Sequence, residues 1–93
     1  MNIKILTPEF VVFDGEVTSV LLPGKNGDFH IMKNHAAIVS SLINGKVKVY
    51  TNEIKEEYAK FFTRESEKES VFSYPIKSGV LEFNNDKGII LAE

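Results

Sequence analysis

This chain of 93 residues has no cysteine and no tryptophan, and it carries only three prolines and two histidines. Without cysteine there is no disulfide framework and no thiolate chemistry, which fits a reducing compartment. No apolar run exceeds four residues, far short of the roughly 20 that a membrane-spanning helix needs. Met1 to Lys4 does not begin the apolar core of a signal peptide. Neither sign of charge dominates: 11 basic against 13 acidic residues leave a net charge of −2, which argues against general affinity for nucleic acid. What is present is a 43% hydrophobic fraction, enough for one core in a single domain over residues 1–93. A soluble intracellular domain is expected.

Short β-branched and aromatic segments separated by turn formers run along most of the chain. Asn2 to Leu6 predicts a strand ended by Thr7-Pro8. Phe10 to Phe13 predicts a second, closed by a turn at Asp14-Gly15, and Glu16 to Leu22 a third, closed by Pro23-Gly24. Phe29 to Met32 and Ala36 to Ser41 follow, divided by the polar knuckle Lys33-Asn34-His35. Asn44-Gly45 is the strongest hairpin signal, because that pair tolerates the positive φ of a type I′ turn. Lys46 to Tyr50 alternates valine with lysine, as a half-buried strand does. Val71 to Ile76, Val80 to Phe83 and a wholly buried Ile89 to Ala92 complete the set, with turns at Lys77 to Gly79 and Asn84 to Gly88. The fold class is all-β, a two-layer sandwich of about nine to ten short strands.

Residues 53–70 stand apart, with ten charged positions among 18 and no glycine or proline. Ile54, Tyr58, Phe61 and Phe62 have helical spacing, yet the same residues fit a strand ending at Thr63 followed by a polar turn. Since strands lie on both sides, a long protruding β-hairpin is the favoured expectation.

Catalytic chemistry is hard to find. His30 and His35, with Asp28, are the obvious metal candidates, but a five-residue spacing along an extended chain points the two rings to opposite faces. Gly24-Lys25-Asn26-Gly27 matches the Gly-x-x-Gly of an RNA-binding fold, where it joins helices; between strands it is a turn. Asn84 to Gly88 lacks the later glutamate of a calcium loop. The glutamates at 53, 56, 57, 65, 67 and 69 are interleaved with lysine and arginine, the pattern of a solvated face. The residues therefore point to a binding or structural module, with no catalytic group, cofactor or metal. Loops on a rigid sheet, above all Gly24 to Leu42, should make its contacts.

The order Phe13-Asp14-Gly15-Glu16-Val17, Leu22-Pro23-Gly24, Gly27-Asp28-Phe29, His35-Ala36, Leu42 and Gly45 resembles the epsilon subunit of F-type ATP synthases. Ser78 to Phe83 and Ile89 to Ala92 are similar to the end of that family's N-terminal domain, so the likeness spans nearly the whole chain. The resemblance implies a ten-stranded sandwich in the central stalk of a bacterial enzyme. It would lie peripherally at the cytoplasmic face of the plasma membrane, bound to the gamma subunit and to the polar loops of the c-ring. Such a subunit rotates with gamma and couples proton flow to ATP synthesis performed elsewhere. Asp28, with Phe29 and Lys33, is then expected to face the c-ring, in a wet contact worth ~1 kcal/mol. Thr7, His35 and Ala36 are expected near gamma, and exposed apolar side chains on one sheet should mark that interface. The alternatives are a strand-ending turn role for Thr7 and, for His35, a bond to its own backbone.

Three departures from the family pattern matter. His30 stands where glycine is usual, and Lys33-Asn34 where Pro-Gly is usual. The 53–70 segment is longer than the usual turn. The chain also stops at Glu93, where the family continues into a C-terminal helical hairpin, so the inhibition and ATP binding associated with that hairpin are not expected. The rival function is a stand-alone sandwich that binds a carbohydrate or a peptide, which would need a concave groove lined with aromatics. A small β-fold enzyme, which would need a convergent polar cluster, ranks third.

Overall fold

Alternating apolar side chains along short strands build two facing layers in the computed structural model, which describes residues 1–93. The first layer contains β1 (Asn2–Leu6), β2 (Val11–Glu16), β5 (Ile38–Leu42), β9 (Gly79–Asn84) and β10 (Lys87–Ala92), in the order β2-β1-β10-β9-β5. The second contains β3 (Ser19–Gly24), β4 (Gly27–Met32), β6 (Gly45–Tyr50), β7 (Thr63–Arg64) and β8 (Val71–Ile76), in the order β4-β3-β6-β8-β7. A single bridge, Gly24 opposite Leu42, joins the layers into one curled sheet of ten strands. All pairings are antiparallel except β1 with β10. Ile3, Ile5, Leu81, Phe83 and Ile90 from one layer meet Val20, Leu22, Ile31, Val47 and Val49 from the other in one core. The all-β sandwich expected from the sequence is the fold that forms.

Several turns fall elsewhere than expected. Asp14 and Gly15 form no turn: they lie within β2, opposite Lys4 and Ile3. The Phe13 ring folds over Gly15, where a Cβ would meet it at 3.2 Å, so the glycine makes room for an aromatic. A bulge between Ile5 and Leu6 lets Val12 and Phe13 both turn inward and leaves Val11 outside. Pro23-Gly24 does not close β3 but belongs to it. Pairing of β3 with β6 ends at Leu21, so the missing N–H of Pro23 costs no ladder bond. The turn comes one step later at Lys25-Asn26, with Gly27 at φ 114.

Asn44-Gly45 is not a hairpin. β5 and β6 belong to different layers and do not pair, and neither residue has positive φ. Gly45 instead admits Pro23, whose Cβ lies 2.7 Å from where a Gly45 side chain would begin. The tight two-residue turn is at Asn85-Asp86, at φ 51 and 58, between the paired Asn84 and Lys87. Lys77-Ser78 is a connection, as expected, but it carries the chain from one layer to the other.

The charged segment 53–70 does not protrude as a β-hairpin. It makes a single helical turn, α1 (Glu56–Ala59), then the two-residue β7 against β8, then a loop to Ser70. Phe13 meets Tyr58 and Phe62 with ring centroids 5.7 Å away in each case, and Phe62 also meets Tyr74 at 5.9 Å. These aromatics close the open flank between β2 and β8, which a solvated hairpin would leave wet. Glu65, at the far end of the segment, reaches back to Lys46 and Lys48 at 3.5 and 3.6 Å.

Candidate protein-interaction surface

The outer face of the first layer carries an apolar row where an isolated sandwich needs polar side chains. Its register aligns Val11, Leu6, Leu91, Val80 and Ser41 in one row across all five strands. The next row runs Asp14, Lys4, Ile89, Glu82 and Val39. Val39 is 73% exposed and Leu91 55%, and Val11, Val80 and Ile89 are each more than two-fifths exposed. β10 is therefore not wholly buried as its sequence suggests: Ile90 and Ala92 point inward, while Ile89 and Leu91 point out. Its unbroken apolar run serves two surfaces, the core and the outer face. Scattered exposed hydrophobics are ordinary, but a contiguous row across a sheet marks a contact surface.

At one end of this face lies a groove of about 570 Å³, lined in part by Leu6, Thr7, Pro8, Gly79, Val80 and Leu91. No aromatic lines it. Gly79 keeps its floor open, since a Cβ there would stand 2.7 Å from the Leu91 carbonyl oxygen. Thr7 holds the rim in place: its Oγ1 accepts from the Phe10 N–H and bonds the Phe10 carbonyl, each at 3.2 Å. The turn role of Thr7 is thus real, and the same turn sets its place beside the groove.

Asp28 is exposed next to the Lys25-Asn26 turn. Because Gly24 pairs with Leu42 and Leu42 with Gly79, this turn is at the same end of the sandwich as Thr7. Phe29 is half-buried, and its ring rests on Gly24, where a Cβ would meet it at 2.7 Å, so its first duty is packing. Lys33 lies beyond the far end of β4, about 17 Å from Asp28 at roughly 3.4 Å per residue. The structure therefore does not bring Asp28 and Lys33 together.

Lys33 instead neighbours His35 and Ala36, all exposed, in the loop between β4 and β5. Asn34, at φ 67, turns this loop, and its N–H donates to Asp86 Oδ1 at 2.9 Å, tying it to the β9–β10 turn. His35 Nδ1 lies 2.7 Å from the Ala36 carbonyl oxygen. A carbonyl only accepts, so Nδ1 donates its proton to it. The local backbone bond expected as the alternative for His35 is formed, with the ring edge toward Phe83 at 6.1 Å. Thr7 and His35 thus stand at opposite ends of the first layer, with the apolar rows between them. His30 is on the other layer, 3.0 Å from Ser19 Oγ and tilted over Tyr50. No group of three potential metal-ligating side chains comes together.

The outward side chains of β9 and β10 were legible only in register, not in composition. Once β10 is paired with β9, alternation puts Leu91 and Val80 on the same side.

Comparison with known proteins gives three results. The family model described as ATP synthase, Delta/Epsilon chain, beta-sandwich domain matches residues 1–93. The ATP synthase epsilon chain of Chlorobium limicola is 35% identical over 92 residues, covering 99% of this chain and 88% of that protein. That of Sulfurimonas denitrificans is 32% identical over the full 93 residues, which are 60% of its length, and that of Campylobacter jejuni RM1221 is 44% identical over 57 residues, 61% of this chain and 44% of that one. Among solved structures, a chain of the Euglena gracilis mitochondrial ATP synthase superposes with a TM-score of 0.71 at 16% identity, covering 97% of this chain and 48% of that one. A chain of the Tetrahymena thermophila mitochondrial ATP synthase central stalk and c-ring gives 0.70 at 18% identity, covering 99% and 62%. At such identities the solved structures speak for the fold alone.

Proposed function

The chain belongs to the family of ATP synthase delta/epsilon-chain β-sandwich domains, and from that premise we propose that it is a non-catalytic central-stalk subunit. In this reading it links the gamma subunit to the c-ring at the cytoplasmic face of a bacterial membrane and couples proton flow to ATP synthesis. The observation that carries it is the exposed row Val11-Leu6-Leu91-Val80, which supplies gamma with a flat apolar face. A β-sheet stiff enough to hold such a face also suits a part that must turn without bending. Thr7 and the His35-Ala36 loop, at the two ends of the face, frame where gamma sits.

Asp28 serves the other partner. It is exposed at the hairpin end of the sandwich, off the apolar face, where a polar loop of the c-ring meets it. Lys33 is at the opposite end, so one planar ring surface would not engage both. Phe29 supports the Asp28 hairpin from beneath. A carbohydrate or peptide module would need a groove lined with aromatics: the groove beside Thr7 has none, and the hollow that gathers Phe10, Tyr58 and Phe61 adjoins Val11 of the apolar row.

The test is size-exclusion chromatography of this chain with the gamma subunit from the same source. A stable one-to-one complex at micromolar concentration, lost when Leu91 becomes aspartate, is the expected result. Failure of the unaltered chain to co-elute overturns the stalk reading.

A further inference from the structure

The three aromatics of the charged segment all pack against the core, but they face different neighbours. Tyr58 and Phe62 turn to Phe13, whereas Phe61 turns to the rim and stacks on Phe10, with centroids 4.8 Å apart and planes 18° from parallel. Phe10 is itself 47% exposed. Phe61 is partly buried against the core, so the exposed ring of the stack is Phe10, and aromatic side chains are enriched in the centres of protein interfaces.

The position of this pair is specific. Phe10 immediately precedes Val11, the outermost member of the apolar row. A hollow of about 530 Å³ lies where β2 meets the segment, lined by Phe10, Val11 and Asp14 on one side and by Glu57, Lys60 and Phe61 on the other. The stripe of exposed apolar side chains is thus continuous, from Phe61 through Phe10, Val11, Leu6 and Leu91 to Val80. The Lys60 ammonium is poised 5.2 Å over the Phe61 ring and forms no ion pair within the chain.

The next outward row includes Asp14, Lys4 and Glu82, so only part of the outer face is apolar, and a stable interface that takes roughly 800 Å² from each partner draws on surface beyond it. The flank formed by the segment carries apolar surface past the β2 edge of the sheet, as the 46%-exposed Ile43 does past the β5 edge. We propose that the segment Glu53–Phe62 is part of the docking face for gamma, with the Phe10–Phe61 stack as an anchor and Lys60 as a partner for an acidic side chain on gamma. This extends the stalk reading and rests on it. It assigns the longer 53–70 segment a binding role in addition to closing the core.

The test measures affinity for gamma for the unaltered chain and for Leu91→Asp, Phe10→Asp and Lys60→Glu, with a thermal melt of each. Phe10→Asp should weaken binding by at least about tenfold, and Lys60→Glu by several-fold with a flatter salt dependence, while both keep the melting temperature near that of the unaltered chain. Amides in residues 53–62 should also gain protection from hydrogen exchange in the unaltered complex, a readout that needs no variant. If Leu91→Asp weakens binding while Phe10→Asp and Lys60→Glu do not, and 53–62 gains no protection, the extended face is refuted and the central face stands. If the unaltered chain does not bind gamma, both fall together.

Discussion

Leu91 is the sharpest place to test the apolar face, because its folded-state role and its interface role separate. It is 55% exposed and sits mid-row between Leu6 and Val80. Its exposed part is on the order of 100 Å², worth about 2.5 kcal/mol when buried against a partner at roughly 25 cal/mol/Å². Leu91→Ala removes most of that and should weaken the complex with gamma by about 1.5–2 kcal/mol, or roughly 10- to 30-fold. Leu91→Asp forfeits the same contact and also forces a carboxylate out of water, so the loss should exceed about 2.5 kcal/mol, beyond roughly 70-fold. In the free chain the cost should be small, since the outward side chain leaves no cavity. Isothermal titration with gamma, beside a urea melt of each variant alone, gives both numbers. An aspartate variant that binds like the unaltered chain would refute the argument, as would one whose weaker binding merely tracks a loss of fold.

Three further outcomes follow from the same coordinates. Phe62→Ala should cost about 2 kcal/mol in urea denaturation, since the ring fills the flank against Phe13 and Tyr74; a cost under about 0.5 kcal/mol would mean the segment does not close the core. Burial, aided by the nearby charges of Glu57 and Asp14, raises the Tyr58 hydroxyl above its ordinary pKa of 10.0. The folded state therefore holds its proton longer than the unfolded chain, and this stability is present in full below about pH 10 and fades as pH rises through the raised value. Tyr58→Phe should accordingly show a shallower fall in melting temperature above pH 10, and parallel curves for the two proteins would count against the burial. Asn44→Ala should change stability by less than about 0.5 kcal/mol, because Asn44 is not in a positive-φ turn; a loss near 1 kcal/mol would restore the hairpin that the sequence suggests.

What the sequence revealed, and what it did not, divides along a physical line. Strands such as Lys46 to Tyr50 were readable because a two-residue alternation is a local property that tertiary contacts only reinforce. Turn pairs were less informative. Asn44-Gly45 and Asp14-Gly15 both carry hairpin chemistry, yet the first glycine admits Pro23, far away in the chain, and the second admits the ring of nearby Phe13, which a bulge in the pairing of β1 with β2 turns inward. The 53–70 segment was ambiguous because its helical spacing runs for little more than two turns, and only one of them forms, set by the flank the segment covers. Among the expected contact residues, Thr7 and Asp28 fall at one end and Lys33, His35 and Ala36 at the other. That division depends on the path of β3, β4 and β5, which spacing along the chain does not encode. The apolar row itself was anticipated as a kind of feature but not by its members, since those appear only when β1, β10 and β9 are set in register.

The parallel pairing of β1 with β10 has a consequence for how the molecule is made. Asn2 lies opposite Lys87, and Leu6 opposite Leu91, so the second strand from one edge of the layer finds its neighbour some 85 positions later. During synthesis, β1 and β2 emerge early as a ribbon whose inner edge stays open until β10 has been made. Closing so long a loop is slow, and an unfilled edge invites wrong partners in the meantime. The same step completes the stripe, because Leu6 and Val80 are joined only when Leu91 slides in between them. A chain without β10 thus has no continuous surface to offer, and recruitment into a larger assembly waits for that strand to arrive.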